Sequence, residues 1–198
     1  FRKSALQKMH GLSDGVLSAQ FHKMKLSLKM SGDSIKRSVT FSSEVNVMYQ
    51  TGLVSVSFRN LSPEEVIRAA KEAGLEWIEW GSDIHAPYGD EHRLEMIAVY
   101  QEAAGLKCSS YGTYFVLGRD DPETLINYFA AAKQLGTTIL RLWCGTKGSK
   151  KYSPTELNTL YKDCRKAASI AEAHNIMLCM ECHNNTLTDT KESALALM

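Results

Sequence analysis

The stretch Ile176-Met177-Leu178-Cys179-Met180-Glu181 is apolar until its last residue, which is a carboxylate. Burying a carboxylate beside apolar neighbours is costly unless it is paired or binds a cation. In an extended chain Met177, Cys179, Glu181 and His183 share one face. Glu181 is therefore the strongest candidate for ligating a metal or moving a proton, with His183 beside it on the substrate side. Its alternative reading is an ion pair with Arg141. A second group lies in the loop Gly81-Ser82-Asp83-Ile84-His85-Ala86-Pro87-Tyr88-Gly89-Asp90, which is long for a strand-to-helix connection. Asp83 and His85 are types that ligate metals or exchange protons; alternatively, His85 is a loop histidine bonded to backbone. Glu79 alternates with Trp77 and either faces a substrate or makes a structural ion pair. Trp143 either stacks on a sugar ring or fills the core.

Two further patterns are decoys. Cys179-Met180-Glu181-Cys182-His183 matches the C-x-x-C-H spacing of haem attachment. In a strand, however, residues three apart point to opposite faces, so one flat haem cannot meet both sulfurs. Gly145-Thr146-Lys147-Gly148-Ser149-Lys150 is glycine-rich and basic, but its spacing is not that of a Walker A loop. It reads as a solvated loop.

The elements that must position these residues repeat one plan. Strands are expected at 53–58, 77–80, 106–114, 138–143 and 176–181, each followed by a helix. Ser62-Pro63-Glu64 and Ser153-Pro154-Thr155-Glu156 are helix starts, with a capping serine, a proline in the first turn and an acid near the positive end of the dipole. Asp121-Pro122-Glu123 starts the third helix in the same way, with Leu125, Ile126, Phe129 and Ala132 as its inward face. Gly74, Gly105, Gly136 and Asn175 stand where helices end. Strict alternation of strand and helix implies a parallel sheet with helices outside it. The mean strand-to-strand spacing of about 31 residues matches a (β/α)₈ barrel unit. A doubly wound sheet would show similar spacing. In both folds, ligands bind at the carboxyl ends of the strands, where the candidate residues sit.

The chain has 198 residues and a formal net charge of +1, but the charge is unevenly divided. Residues 1–47 carry eight basic and three acidic side chains, a net +5, and nine serines, without a stable hydrophobic period. They read as a basic, Ser-rich extension without its own fold, of a composition shared by organellar transit peptides. The chain opens on Phe1, and Met48 marks an alternative start. Residues 48–198 carry a net −4 and hold all of the repeated units. No apolar run reaches the roughly 18 residues of a membrane span, so a membrane is not expected as a partner. The extension lacks the clustered cations and interleaved aromatics of a nucleic-acid-binding arm, so nucleic acid is not expected as a partner either. An odd count of five scattered cysteines suggests reduced thiols and a cytoplasmic protein.

Several runs, taken in order, resemble the xylose-isomerase-like barrel superfamily, and more narrowly its sugar phosphate isomerase/epimerase group. They are Ile78-Glu79-Trp80-Gly81 with His85 downstream, Cys108-Ser109-Ser110-Tyr111-Gly112, Ile139-Leu140-Arg141-Leu142-Trp143, and Met180-Glu181-Cys182-His183 followed by Thr186-Leu187-Thr188-Asp189-Thr190. The resemblance implies a TIM (β/α)₈ barrel, truncated after about five βα units, with an N-terminal extension. It implies a divalent metal (Mn, Mg, Co or Zn) at the carboxyl-end mouth and proton transfer through an enediolate on a small sugar or sugar phosphate. Glu181 matches the family's glutamate that ligates the metal and serves as acid/base, and His85 matches the loop histidine that contacts substrate or metal. The family's remaining ligands, an Asp, a His and a second Glu, come from strands six to eight, past the end of this sequence. With that incomplete site the chain is expected to bind metal weakly and to show little activity. Its open sheet edges predict self-association, as in a homo-oligomer.

Two other functions are weighed against isomerase/epimerase chemistry. An abasic-site endonuclease of the same superfamily would need a histidine near the end of strand four, where Trp143 stands. A non-catalytic α/β binding domain would leave Glu181 without a role in metal binding.

Overall fold

The computed structural model describes residues 49–198, and the expectations for residues 1–47 lie outside them. The described part is built of five strands, β1 (Gly52–Val54), β2 (Trp77–Gly81), β3 (Lys107–Leu117), β4 (Ile139–Cys144) and β5 (Met177–Met180). The helices are α1 (Pro63–Glu72), α2 (Glu91–Ala103), α3 (Phe129–Gln134), α4 (Pro154–Ala173) and α5 (Lys191–Leu197). Among the described residues no helix is long and apolar enough to cross a membrane.

All pairings are parallel and the strands lie in sequence order, β1-β2-β3-β4-β5. That order separates the two folds left open by spacing. A doubly wound sheet reverses direction at a switch point, whereas a barrel winds one way and keeps every crossover helix on the same side. The chain therefore presents five βα units of a TIM barrel.

Helix ends follow the local chemistry. Ser62 and Ser153 each accept from the backbone N–H three residues on, while Glu65 and Glu156 reach back to the cap N–H. Gly74, Gly105, Gly136 and Asn175 take the positive φ that closes a helix. The apolar core lies between sheet and helices. Ile78 and Trp80 of β2, Tyr111 and Phe115 of β3, and Leu140 and Leu142 of β4 pack against Ile67, Leu94, Ile97, Ala132, Leu160 and Ala171. Gln101 of α2 is a buried amide in this layer: it accepts from the Trp80 indole at 2.9 Å and donates to the Leu135 carbonyl at 2.7 Å.

Three expectations are corrected. The first strand stops at Val54, and Ser55–Phe58 forms a 3₁₀ turn. Ser55 is drawn inward there because its hydroxyl accepts from the Gly81 N–H at 2.9 Å. The third helix begins as a 3₁₀ segment, Pro122–Tyr128, before α3. A period of three buries Pro122 and Leu125 and leaves Ile126 outside. β3 runs on to Leu117, with register shifts against both neighbours. The five cysteines are free.

Candidate active site at the carboxyl ends of the strands

Along β4 the side chains alternate, so Leu140, Leu142 and Cys144 enter the helix-side core and Ile139, Arg141 and Trp143 take the other face. The same face of β2 carries Glu79. On β3 an extra residue falls between the Ile78–Cys108 and Glu79–Ser110 pairs. This bulge shifts the phase of the strand, so that Ser110, Gly112 and Tyr114 join the inner face.

Arg141 is the hub of that face. Its Nε donates to Glu79 Oε1 at 2.8 Å, and its Nη1 pairs with Glu181 Oε2. Glu79 Oε2 accepts from the Ser110 hydroxyl at 2.6 Å. Glu181 Oε2 also accepts from the Trp143 indole N–H at 2.6 Å. The sheet register explains the second set: the Glu181 N–H donates to the Leu142 carbonyl, which brings residue 181 alongside Trp143. Thr188 fixes the turn after β5 by donating to the Glu181 carbonyl at 2.7 Å. Two carboxylates thus flank one guanidinium, with Arg141 and Glu79 about one-fifth and one-eighth exposed.

Among the sequence candidates, Glu79, Glu181, Trp143 and His183 come together. The His183 ring lies 5.2 Å from Trp143. Its Nδ1 donates to the Asn184 carbonyl at 2.7 Å, which leaves Nε2 with the lone pair in the neutral ring. His85 is placed elsewhere. It is 1% exposed, edge-on to Trp80 on the helix side, with Nε2 donating to the Leu61 carbonyl at 3.1 Å and Nδ1 without a partner among the described residues. None of its recorded contacts reaches Glu79, Arg141 or Glu181, and these contacts are those of a backbone-bonded loop histidine.

Arg59, Ser110, Gly112 and Tyr114 are not among the site candidates read from the sequence, although Ser110 and Gly112 lie in one of the runs that carry the resemblance. Arg59 stands just after the first apolar run, where the carboxyl-end rule would have pointed. Its Nη1 meets Asp83 Oδ2 at 2.6 Å and its Nη2 donates to the Tyr114 hydroxyl. Tyr114 packs edge-on against Trp143 at 5.6 Å. A continuous layer therefore runs from Arg59 and Asp83 through Tyr114 and Trp143 to Glu181.

A divalent metal needs several donors around one point. Glu181 Oε1 accepts no hydrogen bond from a described residue, so one oxygen is open to a ligand. Both oxygens of Glu79 are engaged, and among the described residues no group of three or more His, Cys, Asp or Glu side chains is placed to hold a metal. The described residues offer one free carboxylate oxygen, on Glu181, and do not by themselves form a metal centre.

The comparisons with known proteins agree with this architecture. A curated relative, the 3-dehydroshikimate dehydratase of Bacillus anthracis, is 28% identical over 155 residues, covering 74% of this chain and 55% of the relative. The crystal structure of the probable 3-DHS dehydratase involved in petrobactin synthesis in the same organism matches with a TM-score of 0.66 and 26% identity, covering 75% of this chain and 58% of that one. A xylose isomerase-like barrel from Mycobacterium smegmatis, solved in complex with magnesium, matches at 16% identity with a TM-score of 0.55 and shows the fold alone; 76% of this chain and 60% of that one are covered. The chain thus spans little more than half the length of these relatives. Residues 67–198 match the model of one family, and the chain belongs to it: the xylose isomerase-like TIM barrels.

Proposed function

We propose that the protein acts on 3-dehydroshikimate, removing a proton from the carbon next to its carbonyl and expelling water. The observation that carries this reading is the geometry of Glu181. It is a carboxylate at the carboxyl end of β5, held through Oε2 by Arg141 and Trp143, with Oε1 turned to no described donor. A carboxylate oxygen fixed in that way is a base for a carbon acid. His183 stands beside it across Trp143 with its Nε2 free, and when protonated it supplies the proton that the departing hydroxyl needs. Loss of water from this cyclohexene ketone, followed by enolisation, leaves an aromatic ring, which draws the reaction forward. The 28% identical dehydratase is the reason for naming this substrate.

Isomerisation and epimerisation of a sugar begin with the same proton removal, and the dehydratase relative moves the reading from those reactions to dehydration. A divalent metal remains part of the reading as a family trait, and the Glu181 oxygen that acts as the base is not counted among its ligands.

The test is binding followed by turnover. Purified protein is titrated with 3-dehydroshikimate while the fluorescence of its three tryptophans is recorded, and the absorbance of an aromatic dihydroxybenzoate is then followed with Mn²⁺ present. Binding is expected in the unaltered chain and in Glu181→Gln alike, with product formation lost in the variant. Absence of binding at millimolar substrate rejects the reading.

A further inference from the structure

Two guanidinium groups stand in the layer at the carboxyl ends of the strands, and they differ in charge balance. Arg141 lies between two carboxylates, so the group formed by Glu79, Arg141 and Glu181 is already net negative. Arg59 is paired with one carboxylate, Asp83. The side chain of Arg59 is 44% exposed and that of Asp83 only 21%, so this pair shows its cation to solvent.

Arg59 is also fixed in place. Nε donates to the Val56 carbonyl at 3.1 Å, Nη1 meets Asp83 at 2.6 Å, and Nη2 donates to the Tyr114 hydroxyl. The guanidinium carbon lies 5.8 Å from the centre of the Tyr114 ring. A guanidinium has five N–H donors, so two remain after these contacts. The side-chain entropy that a free arginine loses on gripping an anion has been lost before the anion arrives.

Distance along the layer sets what Arg59 can reach. Tyr114 touches Arg59 on one side and Trp143 on the other, and Trp143 donates to Glu181. A substrate placed along Tyr114 and Trp143 would have one end toward Arg59 and the other toward Glu181. The substrate of the dehydratase reading has that form: a six-membered ring with a carboxylate on one side and the reacting ketone and hydroxyl away from it.

We propose that Arg59 docks the substrate's carboxylate, with Asp83 and Tyr114 holding the guanidinium. The proposal rests on the dehydratase reading and adds to it the orientation of the substrate. Arg59 is a binding residue and Asp83 a positioning residue. Lysine is not an equivalent, because a planar fork meets both carboxylate oxygens and a point charge does not.

The experiment measures dissociation constants on the purified chain for 3-dehydroshikimate, its methyl ester and fructose 6-phosphate. Arg59→Gln and Arg59→Lys are expected to weaken the acid at least tenfold and to leave the weaker ester binding unchanged. Asp83→Asn, which loosens the hold on the guanidinium, is expected to weaken binding of the acid and to leave ester binding unchanged. Equal losses for acid and ester in Arg59→Lys, at unchanged thermal stability, would overturn the proposal while leaving the dehydratase reading intact. Binding of neither acid nor ester by the unaltered chain sinks both. Preference for fructose 6-phosphate, lost in Arg59→Gln, overturns the carboxylate assignment and the dehydratase reading together.

Discussion

Gly112 lies opposite Arg141 in the sheet, and the Arg141 side chain crosses β3 over it to reach Glu79 on β2. The crossing exists because residue 112 has no side chain. A Cβ built there would stand 2.6 Å from Arg141 Nη2 and 3.0 Å from Glu79 Oε1. Both neighbours are held, the arginine by two carboxylates and Glu79 by Ser110, so neither gives way freely. Gly112→Ala is expected to destabilise the fold by about 1–3 kcal/mol, the usual cost of overfilling a packed site. It should also free Glu181 from Arg141. Urea unfolding gives the first quantity, and an unchanged midpoint would show that the guanidinium is not constrained as described.

Arg141 neutralises two carboxylates that otherwise share one face. Removing it as Arg141→Met leaves Glu79 poorly exposed and unpaired, which costs about 3–5 kcal/mol when a partly buried pair is broken. Adding Glu79→Gln to that variant removes the orphaned charge and should recover a large part of the loss. The double-mutant cycle measures the coupling. Additive effects of the two substitutions would mean that the pair contributes nothing beyond its separate members.

The strands and helix ends were legible in the sequence because their signals are local. Serine caps, prolines in first turns and closing glycines or asparagine act within a few residues of themselves. Arg141 as partner to Glu181 was also legible, since both sit near the ends of consecutive strands. The inner face of β3 was not. Alternation counted from the buried Cys108 puts Ser109 inside, and the extra residue there hands that place to Ser110. A bulge is fixed by pairing with β2 and leaves no mark in composition. His85 failed to reach the cluster for a related reason. A loop histidine is read by type alone, and its direction is set by Trp80 and the Leu61 carbonyl, more than 20 residues away for the latter.

Gln101 ties three elements through one buried amide, joining the Trp80 indole to the Leu135 carbonyl from its place on α2. Gln101→Leu keeps the volume and removes both partners. Each buried polar group left without a bond costs about 1–3 kcal/mol. The expected loss, read from urea midpoints at constant slope, exceeds that of an ordinary surface substitution, which stays within about 0.5 kcal/mol. A change of that small size would show that water replaces the amide.

Glu156 gives the fold a definite acid response at the start of α4. The Lys147 ammonium holds its carboxyl down first, followed by the Ser153 N–H and hydroxyl, from an ordinary 4.5 to about 2. A carboxyl whose folded value is depressed stabilises the native state above its unfolded value and loses that contribution as the pH falls toward the folded value. The contribution of Glu156 is therefore complete above about pH 4.5 and fades as the pH falls toward about 2. The residue is fully exposed, so salt screens part of the effect. Glu156→Gln keeps the cap geometry and removes the charge. The melting temperature of the unaltered protein should exceed that of the variant near neutral pH. The gap should close as the pH is lowered through that window, and it should narrow in high salt. A gap that persists at the acid end would show that the difference does not come from the carboxylate's charge, with no part for the Lys147 pair.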